Sequence, residues 1–340
     1  LLSSGIDAVI ITAGWEAHID LAVAAMKKGV RPGVEVAGAY SLDDCWRLVR
    51  TYEETGIHCM MLENCCYGQR ELMITNMVRQ GVFGTIVHCA GGYHHDLREL
   101  VSTGKECRSY RLNNYIYRNC ENYPTHEAGP IAKLLHINNG NRMLTLNSVS
   151  SAAVGLHEYC LAHREPGDPL RDTHFLQGDI VTTVIKCSGG QTITITLDTT
   201  LPRLYSRAFT VRGTKGMYFE DNDSIYIDGV HQEFEWEPRK IWGNAGEYAE
   251  RYQHPLWQDF KKTDDHGGMD TLVINAFLDS VKRGKRPPID TYDTAVLMAI
   301  TPLSEESILR GGAPVVFPDF TGGRWYRRND IDTESEFCID

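Results

Sequence analysis

The chain has 340 residues, 42% hydrophobic and 23% charged, an ordinary globular profile whose length points to two domains. Its 34 Lys and Arg against 45 Asp and Glu give a formal charge of −11, which argues against a nucleic-acid or anionic-membrane surface. No apolar run approaches the roughly 20 residues that span a bilayer. The ten scattered cysteines contain no CxxC pair, so they read as free thiols of a reducing, cytoplasmic compartment rather than a zinc site or disulfide framework.

The first half alternates strand and helix signals. Asp7 to Thr12 is a short β-branched run, typical of a buried parallel strand. Ile19, Ala22, Val23 and Met26 recur at helical spacing, and Gly29 ends that helix. Val34-Glu35-Val36 is the next strand. Ser41 reads as an N-cap, with Asp43 and Asp44 in the first turn, and Leu48, Val49 and Tyr52 carry the apolar stripe to Gly56. Cys59 to Leu62 is another strand, Arg70 to Gln80 another helix, and Thr85 to Cys89 a strand leading into Gly91-Gly92. Strands separated by helices make βαβ units and a parallel sheet.

After about residue 90 the pattern changes. Ile180 to Cys187 and Gln191 to Leu197 flank Gly189-Gly190 as a β-hairpin. Ala208 to Arg212, Gly216 to Phe219 and Ser224 to Ile227 follow as antiparallel strands. Asp265 to Gly268 opens a helix with Met269, Leu272, Val273, Ala276 and Phe277 on one face; a last helix covers Thr294 to Leu309, and the segment after Gly311 reads as loop. The expected fold is α/β: a Rossmann-like parallel domain over residues 1–90, an α+β domain with a large, mostly antiparallel sheet over 91–325, and a tail over 326–340.

An open parallel sheet binds ligands at the carboxyl ends of its strands, and a dinucleotide fold normally starts with a strand, a G-x-G-x-x-G turn and a helix. No such fingerprint occurs in this sequence. The expectation is a domain that lacks its first βαβ, with any export signal on the missing front. Such a chain should bind a dinucleotide more weakly than one with the front restored, and can be inactive alone.

The run Ile6-Asp-Ala-Val-Ile-Ile-Thr-Ala13, with Trp15-Glu-Ala-His18, Leu21 to Met26 and Gly33-Val-Glu-Val36, resembles the glucose-fructose oxidoreductase, inositol dehydrogenase and MocA family. That family's Glu-Lys-Pro is here Glu35-Val36-Ala37, and valine cannot do the lysine's acid–base work. Further segments are similar to a narrower group, the NAD-dependent α-N-acetylgalactosaminidases of glycoside hydrolase family 109. They are Glu63-Asn64-Cys-Cys-Tyr67, Met77 to Gly84, Tyr93-x-His95-Asp-Leu-Arg98, Tyr123-Pro-Thr-His126 with Gly129-Pro130, Pro202-Arg203-x-Tyr205-Ser206-Arg207, and Asp265-His-Gly-Gly-Met-Asp270. Together they run from about residue 6 to 325.

The resemblance implies hydrolysis of terminal N-acetylgalactosamine or N-acetylhexosamine glycosides by transient oxidation at C3, elimination, addition of water and re-reduction, with NAD as cofactor. It implies catalytic roles for His126, Tyr123 and Tyr205. Tyr93, His95, Arg111, Tyr123, Pro124, Thr125, His126 and Tyr205 would meet the substrate. Trp15, Glu16, His18, Glu35, Val36, Asn64 and Tyr123 would meet the cofactor. It also implies a small-molecule sugar partner and a homo-oligomer. Histidine suits a base poised near neutrality, and Pro124 makes Tyr123 extended, as in an active-site loop. Of the adjacent His94 and His95, one at most faces the site in a strand, and His95 is preferred. Arg118 competes with Arg111. Without the resemblance, Trp15 serves as well for packing between domains, and a lone Tyr93, His126 or Tyr205 more often has a structural place. His266 and Asp270 read as helix-capping and packing groups. No HExxH-like spacing occurs, so no metal is predicted. Two other readings stay open: an NAD(P)-dependent sugar dehydrogenase, against which Val36 counts, and a non-catalytic sugar-binding relative.

Overall fold

The computed structural model describes residues 2–107, 110–233, 236–263 and 265–340. Two sheets organise them. The first is three-stranded and parallel, in the order β1 (Ala8–Ile11), β2 (Arg31–Val34), β3 (Met60–Met61). The crossovers are α1 (His18–Met26) and α2 (Leu42–Thr55). The second sheet has eight strands in the order β10-β9-β8-β4-β7-β6-β5-β11. These are β4 (Ile86–His94), β5 (Met143–Ser150), β6 (Ile180–Cys187), β7 (Thr192–Asp198), β8 (Thr210–Gly213), β9 (Gly216–Phe219), β10 (Ser224–Ile227) and β11 (Val315–Val316). All neighbours are antiparallel except β4 and β7. The remaining helices are α3 (Gln69–Arg79), α4 (Arg98–Ser102), α5 (Arg111–Tyr117), α6 (Thr125–Leu134), α7 (Gly155–His163), α8 (Ala249–Tyr252), α9 (Pro255–Gln258), α10 (Met269–Arg283) and α11 (Thr291–Leu309).

Local signals work as their chemistry dictates. Ser41 accepts a hydrogen bond from the Asp44 amide, and Gly56 closes α2 in the left-handed conformation at φ +69°. The β6–β7 hairpin turns through Gly190 at φ +93°. On α10, Leu272, Val273, Ala276 and Phe277 are buried, as the helical spacing predicts.

Three expectations are corrected. The second strand spans Arg31–Val34 rather than Val34–Val36. Its partner β1 stops at Ile11, paired with Val34, so Glu35 and Val36 lie just beyond the strand's carboxyl end. The strand expected over Thr85 to Cys89 continues through the glycine pair to His94 and pairs with β7 and β8 of the larger sheet. The glycines do not end it because neighbours press on both: a Cβ on Gly91 would lie 2.6 Å from the Glu127 side chain, and one on Gly92 2.1 Å from the Thr196 carbonyl. Beyond Gly311, expected as loop, Val315–Val316 adds a short edge strand to β5.

Helix α11 sits between the sheets. The Thr291 and Thr294 hydroxyls accept from the amides of Cys59 (2.9 Å) and Met61 (3.0 Å) on the free edge of β3. Further along the helix, Ser304 accepts from the Glu121 amide and Ser307 from the Ser148 amide, each at 2.8 Å. A buried ionic cluster ties α11 to α6: the Lys133 ammonium donates to Asp293 (2.8 Å) and Asp340 (2.7 Å), while Arg286 holds Asp290 (2.7 Å) and Asp340 (3.0 Å). Burial opposes the charge on Lys133, but the two carboxylates outweigh it and hold the ammonium above its usual range.

Removing one member of such a cluster leaves unpaired buried charge. Lys133→Met is expected to destabilise the fold by about 3–5 kcal/mol. Urea titration followed by circular dichroism checks this, and an unchanged midpoint would show the cluster to be energetically neutral.

Candidate active site

The carboxyl ends of β1, β2 and β3 carry the residues assigned by resemblance to the cofactor, Tyr123 excepted. Trp15 opens a 3₁₀ turn after β1 and is 4% exposed. Its ring packs on Tyr110 (4.7 Å) and Tyr123 (5.6 Å), and its indole N–H is buried without a partner among the described residues. Glu35 is exposed and Val36 buried, both just past β2. Glu16 is exposed. His18 is buried, and its Nε2 lies 2.8 Å from the Ala13 carbonyl, so the ring braces its own loop. Burial holds its pKa below the usual value. Asn64, past β3, donates its amide to Asp270 Oδ1 at 2.6 Å, and Asp270 Oδ2 meets His266 Nδ1 at 2.7 Å. Asp270 stands in the first turn of α10, as expected, and reaches across to Asn64, while Asp265 accepts from the Thr271 amide at 2.6 Å.

A second group converges from the larger sheet. Tyr93 and His95 lie on one face at the end of β4, with the Tyr93 hydroxyl 3.0 Å from His95 Nδ1. His94 projects to the other face, and neither ring nitrogen has a partner among the described residues. Tyr123 immediately precedes α6, which Pro124 caps at φ −78°, so His126 stands in its first turn. Thr125 between them is buried. The Tyr123 ring lies 4.4 Å from Tyr93 and 4.9 Å from His126, and Tyr93 lies 5.5 Å from His126. Arg111, at the start of α5, places its guanidinium 4.6 Å over Tyr123 and 4.9 Å over Trp15. Arg118 is engaged elsewhere, bound to Glu305 at 2.6 Å. Tyr205, 55% exposed, forms the rim and meets His95 edge-on at 5.1 Å. The bridge between His94 and Ser206 pins the Tyr205 loop onto β4.

The sequence reading of site residues omitted Glu63. It lies just past β3, fully buried, and its Oε1 is 2.8 Å from His126 Nδ1. Its place within Glu63-Asn64-Cys-Cys-Tyr67 was visible; its contact with a residue 63 positions away was not. Burial pushes this carboxyl up, but the His126 charge and hydrogen bond outweigh it and hold it below the usual range. An ionised Glu63 can only accept a hydrogen bond, so Nδ1–H is the donor in this contact. Burial pushes the Tyr93 hydroxyl up to about 12 and the Tyr123 hydroxyl well above its ordinary value, against the pull of Arg111. Both phenols are therefore donors at neutral pH. Burial, then Arg111, lowers the His95 pKa, which keeps that ring neutral. The arrangement comprises an imidazole oriented by a carboxylate, two protonated phenols, a cation over aromatic faces and an exposed tyrosine.

Residues 67–327 match the family described as glycosyl hydrolase 109, C-terminal domain. A glycosyl hydrolase family 109 protein of Parabacteroides distasonis is 41% identical over 345 residues, covering 95% of this chain and 73% of the relative. An alpha-N-acetylgalactosaminidase of Tannerella forsythia is 41% identical over 344 residues, with coverage of 95% and 72%. Among solved structures, an inositol dehydrogenase homolog from Azotobacter vinelandii complexed with NAD+ superposes with a TM-score of 0.66 at 15% identity, over 93% of this chain and 79% of that one. A levoglucosan dehydrogenase in complex with NADH and levoglucosan gives 0.68 at 16%, over 94% and 82%. At these identities the structural likeness is one of fold.

Because Glu63 titrates lower in the folded chain than the roughly 4.3 of an unfolded glutamate, its stabilisation is complete above that pH and fades as pH falls through the lowered value. Glu63→Gln is expected to be less stable than wild type at pH 7 and to decline less steeply below about pH 4. Unfolding midpoints across pH check this; parallel acid limbs in the two proteins would contradict it.

Proposed function

The chain belongs to glycosyl hydrolase family 109 and is a glycoside hydrolase, and we propose that it releases terminal N-acetylgalactosamine with NAD as a recycled cofactor. The observation that carries this reading is the meeting of the His126–Glu63 and Tyr93–His95 pairs with Tyr123 beside the carboxyl ends of a parallel sheet. There Trp15 keeps a buried indole N–H with no partner among the described residues, and its ring packs with Tyr123 and Arg111. Trp15, Glu35, Val36 and Asn64 would hold the cofactor, each just past a strand end. Glu16 and His18 fit less directly: one is exposed beside Trp15, the other braces its own loop. When bound, NAD supplies a reversible oxidation of a ring hydroxyl, which acidifies the neighbouring C–H and allows the aglycone to leave.

The protein's own residues move protons and hold the sugar. His126 Nε2 takes the carbon-bound proton next to the oxidised position, and Glu63 stabilises the imidazolium that forms. Glu63 cannot reach a sugar itself, being fully buried, so its role differs from that of an acid in the two-carboxylate mechanism. Tyr123 and Tyr93, both protonated, donate to the sugar hydroxyls, with His95 Nδ1–H donating to the Tyr93 oxygen from behind. Arg111 supports negative charge developing at that face. Pro124 and Thr125 set the entry of α6 that aims His126, and Tyr205 closes the rim. Val36 stands where the sugar dehydrogenases of the wider fold carry a proton-transferring lysine, which favours the glycosidase over a net dehydrogenase.

Incubation of purified protein and NAD with p-nitrophenyl α-N-acetylgalactosaminide should release nitrophenol with no net NADH. His126→Ala should lower that rate about 10²–10⁴-fold. NADH accumulating on free sugars without nitrophenol would replace this reading by a dehydrogenase.

A further inference from the structure

The fold gathers a donor set that no spacing in the sequence announces. One ligand atom from each of Glu63, Cys65 and His126 lies within 4.8 Å of the other two. Glu63 and Cys65 are buried, and the His126 side chain is 14% exposed. Glu63 Oε2 is fully buried without a hydrogen-bond partner among the described residues. Among the described residues the Cys65 sulfur makes one hydrogen bond, a long one of 3.5 Å to Asn64 Oδ1. Cys65 belongs to the 3₁₀ turn after β3, so its backbone is fixed beside Glu63. The neighbouring Cys66 faces Gly129, where a Cβ would sit 3.0 Å from its sulfur.

We propose that Glu63, Cys65 and His126 bind a thiophilic divalent cation, Zn²⁺, and that its binding switches the enzyme off. Sulfur, imidazole nitrogen and carboxylate oxygen are the three donor types zinc prefers, and three protein ligands leave a fourth position for water. Zn–S near 2.3 Å and Zn–N near 2.0–2.1 Å place tetrahedral ligands roughly 3.3–3.6 Å apart. The imidazole and carboxylate already meet at 2.8 Å, so the sulfur has the furthest to move, on the order of 1 Å. Thiolate and carboxylate together balance the 2+ charge. The Zn–S bond forms as the thiol S–H breaks, its proton passes to solvent, and no atom changes oxidation state. The imidazole either gives Nε2 to the metal or gives Nδ1 and carries its proton on Nε2. In both cases the nitrogen that serves as base is lost. Cys65 has no part in the proposed chemistry, so the inhibitory ligand can be removed without touching the base.

Cobalt(II) is the spectroscopic probe. Titrated into the purified protein, it should give a thiolate-to-cobalt charge-transfer band and intense tetrahedral d–d bands, and zinc should displace both. Cys65→Ser should lose the charge-transfer band, keep nitrophenol release, and need about ten- to a hundredfold more zinc for half-inhibition. Should that variant fail to fold by circular dichroism, Glu63→Gln serves instead and should weaken cobalt binding to the same extent. A wild-type protein without the thiolate band, or a folded Cys65→Ser variant inhibited by the same zinc concentration, would overturn the proposal. The cobalt spectrum is read without substrate, so an error in the assigned glycoside leaves this test intact.

Discussion

A strand at the edge of a sheet exposes amides that must find acceptors, and closing the edge of β3 is the constraint on which this structure turns. Thr291 and Thr294 of α11 close it with hydroxyls rather than with another strand. The same helix presents Ser304 and Ser307 to the backbone around Glu121 and β5. One helix therefore sets the position of both halves of the site. Glu63 and Asn64 follow the strand it closes, and Tyr123 follows the segment it holds from the other side. The ionic cluster around Lys133 fixes α6 to the same helix, and α6 delivers His126.

Within that frame the site is governed by burial, and the response differs by group. Glu63 stays ionised because His126 is there to meet it; removed from that contact it would be a charge in a dry environment. The phenols of Tyr93 and Tyr123 have no base strong enough to take their protons, so the same burial keeps them neutral. Behind β4 a different balance holds. Arg207 stands among Glu71 (2.6 Å), Glu127 (3.5 Å) and Glu220 (3.7 Å), and burial pushes the Glu127 carboxyl well above its usual range. Two buried glutamates thus shift in opposite directions, Glu63 downward beside His126 and Glu127 upward through burial.

What the sequence made legible was local. The N-cap at Ser41, the glycine hairpin and the apolar face of α10 all depend on neighbours within a few positions, and each took the expected form. The pairing of β4 was not legible, because a short apolar run carries no record of which sheet it joins. The extent of β2 depended on where β1 ends. Arg111 and Arg118 were indistinguishable as residues; Glu305, nearly two hundred positions away, claims one and leaves the other over Tyr123. The contact of Glu63 with His126, and the approach of Cys65 to both, likewise arise only on folding. The family motifs named many of the residues that meet in the site, but the order in which they touch one another came from the fold.

The paired glycines in β4 bear on how such a site can diversify. Tyr93 and His95 stand on a strand whose inner positions, Gly91 and Gly92, admit no side chain because Glu127 and the Thr196 carbonyl occupy the space. That stretch of β4 is thus closed to gradual change, since the first step of any mutational path through it meets a steric barrier. The rim is not. Tyr205 and its neighbour Leu204, 88% exposed, sit on a loop whose side chains point largely into solvent. Relatives adapting to other glycosides, and laboratory libraries seeking them, would find their accessible variation in that loop while the glycine pair stays fixed.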